Sequence, residues 1–133
     1  MSRFKKLSQA IWHCHYHIIW CPKYRFKILT GSVAEEVSTC IRIFSERQGC
    51  EVTELNVQID HVHLLVLIPP KVSVSTFVGV VKGKTAIHLF RKFPQLRQKP
   101  YWGNHFWAEG YCADTVGVDA EMITKYVKYQ QDR

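Results

Sequence analysis

The stretch Ile59-Asp60-His61-Val62-His63-Leu64-Leu65-Val66 sets two histidines around a valine inside a strongly apolar run. The run extends from Val57 to Ile68, is rich in Val, Ile and Leu, and stops at Pro69-Pro70, the pattern of a buried strand. Alternate residues of a strand point to one face, so His61 and His63 stand side by side, ~6.6 Å apart along the chain. Two imidazoles at that spacing can converge on one divalent cation, because neutral imidazole is the commonest side-chain metal ligand. Asp60 falls off that face. It sits at the junction with a preceding strand, where it serves the turn or orients a histidine as a group behind the ligands. Taken alone, His-x-His is more often a satisfied core or surface pair than a metal site, so a second feature has to decide.

The rest of the composition frames that choice. At 133 residues the chain reads as one domain over 1–133, large enough for a core without staples. It is 47% hydrophobic and 13% aromatic, which excludes a disordered chain. Lys and Arg total 18 against 11 Asp and Glu, a net charge of +7 that favours a polyanionic partner, most often nucleic acid. A merely soluble basic protein has the same balance. Cys14, Cys21, Cys40, Cys50 and Cys112 are odd in number and never form Cys-x-x-Cys, so they give neither a disulfide framework nor a zinc ribbon. No signal peptide and no apolar run near 18 residues is present, and the expectation is a cytoplasmic protein without a membrane span.

Upstream of the histidine strand, residues 1–9 form a basic arm and Ile11 to Cys21 reads as a first strand. Trp12, Cys14, Tyr16, Ile18 and Trp20 share an apolar face; His13, His15 and His17 share the other, lining a polar surface or a nucleic-acid groove, with one of them near His61 and His63. A metal site on these three alone lacks a neighbouring carboxylate or thiolate in the sequence. Pro22-Lys23-Tyr24-Arg25-Phe26-Lys27 interleaves cations with aromatics, which suits phosphates and stacked bases of a single strand and equally suits a solvated loop. Ser32 and Glu35 have the spacing of a capping box for a helix to Gln48, closed by Gly49, with Val33, Val37, Cys40, Ile41 and Phe44 on its buried side. Glu51 to Gln58 is the next strand.

Downstream, Ser73 caps a helix to about Phe93, whose buried stripe is Val74, Phe77, Val78, Val81, Thr85 and Leu89. Lys82, Lys84, Arg91 and Lys92 lie mostly off the stripe, as a solvated face or as phosphate contacts. His105 to Thr115 reads as a last strand with a bulge at Gly110. Gly117 breaks it, and Asp119 starts a final helix over 118–131. The order strand, helix, strand, strand, helix, strand is an α+β, ferredoxin-like (split βαβ) antiparallel sheet with helices on one face, extended by that C-terminal helix.

In the last helix Met122, Ile123, Tyr126, Val127 and Gln130 trace one stripe, which makes Tyr126 and Gln130 neighbours at i, i+4. A tyrosine there is by itself more often a core aromatic with a wet hydroxyl. A glutamine on the same face adds an amide oxygen, an acceptable third donor beside two imidazoles for Mg²⁺ or Mn²⁺.

Asp60-His61-Val62-His63-Leu64-Leu65-Val66 and Tyr126-Val127-Lys128-Tyr129-Gln130, with Tyr16 to Arg25, Val81-Lys82-Gly83 and Phe106 to Tyr111, resemble the single-tyrosine HUH transposases of insertion sequences and their REP-associated relatives. Tyr129 lies close by, but only Tyr126 precedes a glutamine by four. The resemblance covers nearly the whole chain. It implies that His61, His63 and Gln130 hold a divalent metal ion and that Tyr126 is the nucleophile. The chemistry implied is cleavage and rejoining of single-stranded DNA through a 5′-phosphotyrosine. It further implies recognition of hairpin ends, a homodimer with active sites shared between subunits, Gly117 as a hinge before the tyrosine helix, and a DNA-associated prokaryotic enzyme. Lys23, Arg25, Lys82 and Lys84 are the candidate DNA contacts. Alternatives are a domesticated relative acting on chromosomal repeats and a non-catalytic single-strand-binding module on the same kind of sheet; weaker still is a metal store or sensor on His13, His15 and His17.

Overall fold

The computed structural model describes residues 15–97 and 105–115. Four strands, β1 (His15–Trp20), β2 (Glu51–Gln58), β3 (His61–Leu67) and β4 (Cys112–Thr115), form one sheet in the order β2-β3-β1-β4. All three pairings are antiparallel. With helix α1 (Gly31–Arg47) after β1 and helix α2 (Val74–Lys92) after β3, the topology is the ferredoxin-like split βαβ expected from the order of apolar patterns.

The sheet is two-faced because its sequence alternates. Val62, Leu64 and Val66 of β3 and Ile18 of β1 have no exposed surface, and Trp20 almost none. They form one cluster with Val37 and Ile41 of α1 and Phe77, Val78, Val81 and Leu89 of α2. Both helices therefore cover the same face, and the histidines are left on the other. The predicted stripe of α2 is buried as expected from Phe77 to Leu89, and Phe90 joins it. Ser73 Oγ accepts from the amide of Thr76 at 3.1 Å, the N-cap read from the sequence.

Three local expectations are corrected. Helix α1 starts at Gly31 with extended Thr30 as its N-cap and no side-chain capping bond, so Ser32 and Glu35 do not form a capping box. The amide of Ala34 already donates to the Thr30 carbonyl (3.3 Å), which places Ser32 inside the first turn. The single run read from Val57 to Ile68 is two strands joined by the turn Ile59–Asp60, with Gln58 facing His61. The last strand is Cys112–Thr115 alone, because Gly110 turns the chain with φ of 82°. Upstream of it, the Phe106 carbonyl accepts from Lys23 and the Ala108 amide donates to Cys21, a short extension of β1's edge. Gly49 does close α1: at φ of 76° it lets its own amide reach Glu46 (2.9 Å) and that of Cys50 reach Ser45 (3.1 Å), a Schellman motif.

Leu64 sits in the central pairing, with Ile18 and Leu55 as cross-strand neighbours. Leu64→Ala is expected to lower unfolding free energy by about 2–5 kcal/mol, read as a lower urea midpoint with an unchanged slope. A loss below about 1 kcal/mol would contradict this packing.

Candidate active site on the open sheet face

The open face is assembled by register. Opposite His63 stand Ile19 of β1 and Asn56 of β2; opposite His61 stands Gln58; opposite His17 stand Leu65 of β3 and Asp114 of β4. A bulge between Val52 and Glu54 sets this phase, and the Thr53 hydroxyl fills the interrupted ladder by donating to the Leu65 carbonyl at 2.9 Å. Glu54 is thereby turned toward the histidines. With His17, His63 and Leu65 it lines a cavity of about 270 Å³.

Nε2 of His17 meets Nε2 of His63, with ring centroids 4.0 Å apart. His17 is the residue that pattern reading did not assign to the site. The alternation of β1 put it on the right face, and only the β1–β3 register shows which of three histidines lies beside His63. The carboxylate missing from the sequence reading is also supplied by register, from Asp114 and Glu54. Burial, then the neighbouring His17 and His61, hold the His63 pKa below its ordinary value, while Glu54 opposes them. Burial lowers His15 as well. Neutral imidazoles are the form in which histidine binds a metal.

His61 is held from behind. Its Nδ1 lies 2.9 Å from Asp60 Oδ1, and Arg25 Nη2 donates to Asp60 Oδ2 at 3.2 Å. With Nδ1–H given to the carboxylate, the lone pair of His61 is on Nε2. The bond to His61, ahead of the Arg25 charge, keeps the Asp60 carboxyl below the usual range. Arg25 belongs to the turn Lys23–Arg25, where Tyr24 and Arg25 both take left-handed φ, 59° and 53°. Such backbone in a non-glycine residue costs of order 1 kcal/mol and is kept where the surroundings enforce it. Tyr24 is two-thirds exposed, with Lys23 Nζ 5.4 Å from its ring centre.

The other candidate contacts separate. Lys84 Nζ lies 5.9 Å from the Phe44 ring on the helix layer. Lys82 Nζ donates to the carbonyls of Ala108 (2.9 Å) and Gly110 (2.8 Å), and burial lowers its pKa. Tyr126, Gln130 and Gly117 lie outside the described residues, as do the arm 1–9 and the helix 118–131. Among the described residues, the one group of three metal-type donors within 4.8 Å of one another is not on this face but between the helices: Glu36, Cys40 and His88.

Fold and face together define a small ferredoxin-like α+β protein whose sheet surface, left uncovered by the described residues, carries clustered histidines beside a strained basic–aromatic turn. The family described as "Transposase IS200 like" matches residues 10–130. The transposase for insertion sequence element IS200 of Salmonella typhimurium is 39% identical over 130 residues, covering 98% of this chain and 85% of that protein. The ISDra2 transposase TnpA of Deinococcus radiodurans is 37% identical over 130 residues, covering 97% and 92%. Among solved structures, a putative transposase from Deinococcus radiodurans superposes with a TM-score of 0.72 at 33% identity, covering 89% of this chain and 88% of that one. A REP-associated tyrosine transposase bound to a REP hairpin shares the fold, with a TM-score of 0.57 at 12% identity over 87% and 63% of the two chains. The chain belongs to the IS200-like transposases, and with them to the enzymes that transfer DNA strands.

Lys82→Met keeps the aliphatic stem and leaves two carbonyls without their charged donor. We expect it to cost about 1–3 kcal/mol in equilibrium unfolding; unchanged stability would show that the ammonium does not hold the Ala108–Gly110 segment.

Proposed function

We propose that this enzyme cleaves and rejoins single-stranded DNA at insertion-sequence ends, with Tyr126 as nucleophile and His61, His63 and Gln130 as ligands of one Mg²⁺ or Mn²⁺ ion. The observation that carries the reading is the histidine face itself: β3 offers His61 with its tautomer fixed by Asp60, and His63 with its nitrogen aimed at His17. Two oriented imidazoles, with the Glu54 carboxylate lining the same cavity as His63 and Asp114 opposite His17, suit a divalent cation. His17 is proposed as a further donor to, or neighbour of, the same ion. When bound, such an ion supplies Lewis-acid and orienting chemistry to a phosphate.

The chain's own part is nucleophilic. The Tyr126 phenol oxygen attacks phosphorus, the P–O3′ bond breaks, and the departing 3′-oxygen takes a proton. The products are a 5′-phosphotyrosine and a free 3′-hydroxyl. A second 3′-hydroxyl then attacks the same phosphorus and releases the tyrosine, so the bond energy is conserved without a nucleotide cofactor. Tyrosine titrates near ~10 when unperturbed, so its proton must be drawn off in the site.

Lys23, Arg25 and Lys84 are proposed as cationic contacts to DNA, with exposed Tyr24 stacking a base, and Lys82 as a contact limited to the N–H that the Ala108 and Gly110 carbonyls leave over. Hairpin recognition is proposed to use the basic and aromatic cleft of about 420 Å³ lined by Lys82, Phe90, Arg97, His105, Phe106 and Trp107. Gly117 is proposed as the hinge that lets the 118–131 helix reach the histidines of its own chain or of a second copy in a homodimer. The single domain 1–133 then works as a DNA-associated enzyme of the cytoplasm; among the described residues no helix is long and apolar enough to cross a membrane.

With single-stranded DNA carrying an element end and Mg²⁺ or Mn²⁺, denaturing electrophoresis is expected to show a covalent protein–DNA band, absent with chelator and in Tyr126→Phe. Hairpin binding by Tyr126→Phe should stay within a few-fold of the parent. An adduct that persists in Tyr126→Phe refutes the assignment of the nucleophile. Asp60→Asn, which keeps the shape and removes the charge behind His61, is expected to weaken activating-metal affinity by about 10–100-fold; an unchanged metal titration would remove Asp60 from the site.

A further inference from the structure

The helix layer holds a second set of donors that the strand-transfer chemistry does not use. Glu36 and Cys40 are one turn apart on α1; His88 and Lys92 are one turn apart on the facing α2. Glu36 Oε2 lies 2.5 Å from His88 Nε2, and Lys92 Nζ donates to Glu36 Oε1 at 2.8 Å. An ion-pair network between helices accounts for these three residues. It does not account for Cys40, whose thiol is buried against the same point: the carboxylate oxygen, the imidazole nitrogen and the sulfur all lie within 4.8 Å of one another.

We infer that Glu36, Cys40 and His88 form a binding site for a thiophilic divalent cation of the Zn²⁺ type, clamping α1 to α2. Bonds of ~2.0–2.3 Å from oxygen, nitrogen and sulfur put tetrahedral donors roughly 3.3–3.8 Å apart, so the ion would displace the Glu36–His88 hydrogen bond and spread that pair by somewhat under an ångström, while the sulfur closes by about an ångström at most. The donor set selects the ion: thiolate and imidazole favour zinc over Mg²⁺ or Mn²⁺, the ions that oxygen-rich sites take. The carboxylate has a separate oxygen for each task, Oε2 for the ion and Oε1 for Lys92, so the lysine orients the ligand rather than competing for it. Three protein ligands leave the fourth position to water, on the side where His88 is partly exposed. The helix pair is thereby cross-linked within the layer opposite the histidine face, and the gain is conformational stability. The inference stands apart from the strand-transfer reading, since no residue is shared between the two sites.

Cobalt(II) is the probe, because a thiolate ligand gives it a near-ultraviolet charge-transfer band that imidazole and carboxylate ligands do not. The full-length protein titrated with Co²⁺ should develop that band to one equivalent. The band should vanish in Cys40→Ser, weaken at least tenfold in affinity in His88→Gln, and persist in His61→Ala. His88 is partly exposed, so His88→Gln is the variant that stays folded if Cys40→Ser does not. In parallel, Zn²⁺ should raise the melting temperature of the parent and of His61→Ala, but not that of His88→Gln. A parent protein without the band, a band retained in Cys40→Ser, or a zinc shift lost only in His61→Ala each overturns the inference.

Discussion

The two-residue period of β3 is the constraint on which the rest depends. Val62, Leu64 and Val66 are sealed against the helices, and the residues between them have only the opposite face to occupy. A slip of one position would expose three aliphatic side chains, each worth about 1.5–3 kcal/mol when buried, and would press two imidazoles into an apolar core. Leu65 and Leu67 would turn inward in exchange, but they do not make up for two imidazoles in the core that Val62, Leu64 and Val66 now fill. The placement of His61 and His63 is therefore enforced by the hydrophobic effect acting on their neighbours, not by any attraction between the histidines. The Thr53 bulge then sets the phase of β2, so that Glu54, Asn56 and Gln58 fall opposite Leu65, His63 and His61.

A second chain of cause runs from the turn after β1 into the site. Arg25 is one of two non-glycine residues with left-handed φ among the described residues, and its guanidinium ends on Asp60, whose other oxygen meets His61. The strained turn, the β2–β3 turn and the ring orientation of His61 are thus one linked arrangement. Arg25 is two-thirds exposed, so its pairing with Asp60 contributes little to stability in water. Its geometric effect is larger: it fixes which carboxylate oxygen is left for the histidine.

What could be read in advance follows from range. The strand pattern of β3, the alternation of β1 and the Ser73 cap depend on residues within a turn or a pleat of each other, and each is legible in the chain. The ferredoxin-like order follows from them. His17 beside His63, and Asp114 opposite His17, join residues far apart in sequence through strand register, which no local pattern encodes. The apparent capping box at Ser32 and Glu35 failed because Thr30 is the last extended residue and the helix begins sooner. The long C-terminal strand failed because Gly110 turns the chain, and Lys82, from another element, holds the Ala108 and Gly110 carbonyls on either side of that turn. Lys82 itself looked like a free cation on a solvated face for the same reason.

The division of the molecule into two faces would let the two proposed cation sites coexist in one small domain. Metal affinity is set by donor type and by how far water is excluded. On the sheet face the donors are imidazoles and carboxylates around an open cavity, an arrangement suited to a hard, exchangeable ion that meets phosphate. Between the helices a buried thiol stands beside a carboxylate and an imidazole that already bond each other. Burial, with the Glu36 charge adding to it, pushes the Cys40 thiol up to about 11, so at neutral pH that site is a neutral thiol unless a soft cation stabilises the thiolate. Because the sheet lies between the two, its apolar core screens each set of donors from the other, and selectivity follows from which side of β3 a ligand is built on.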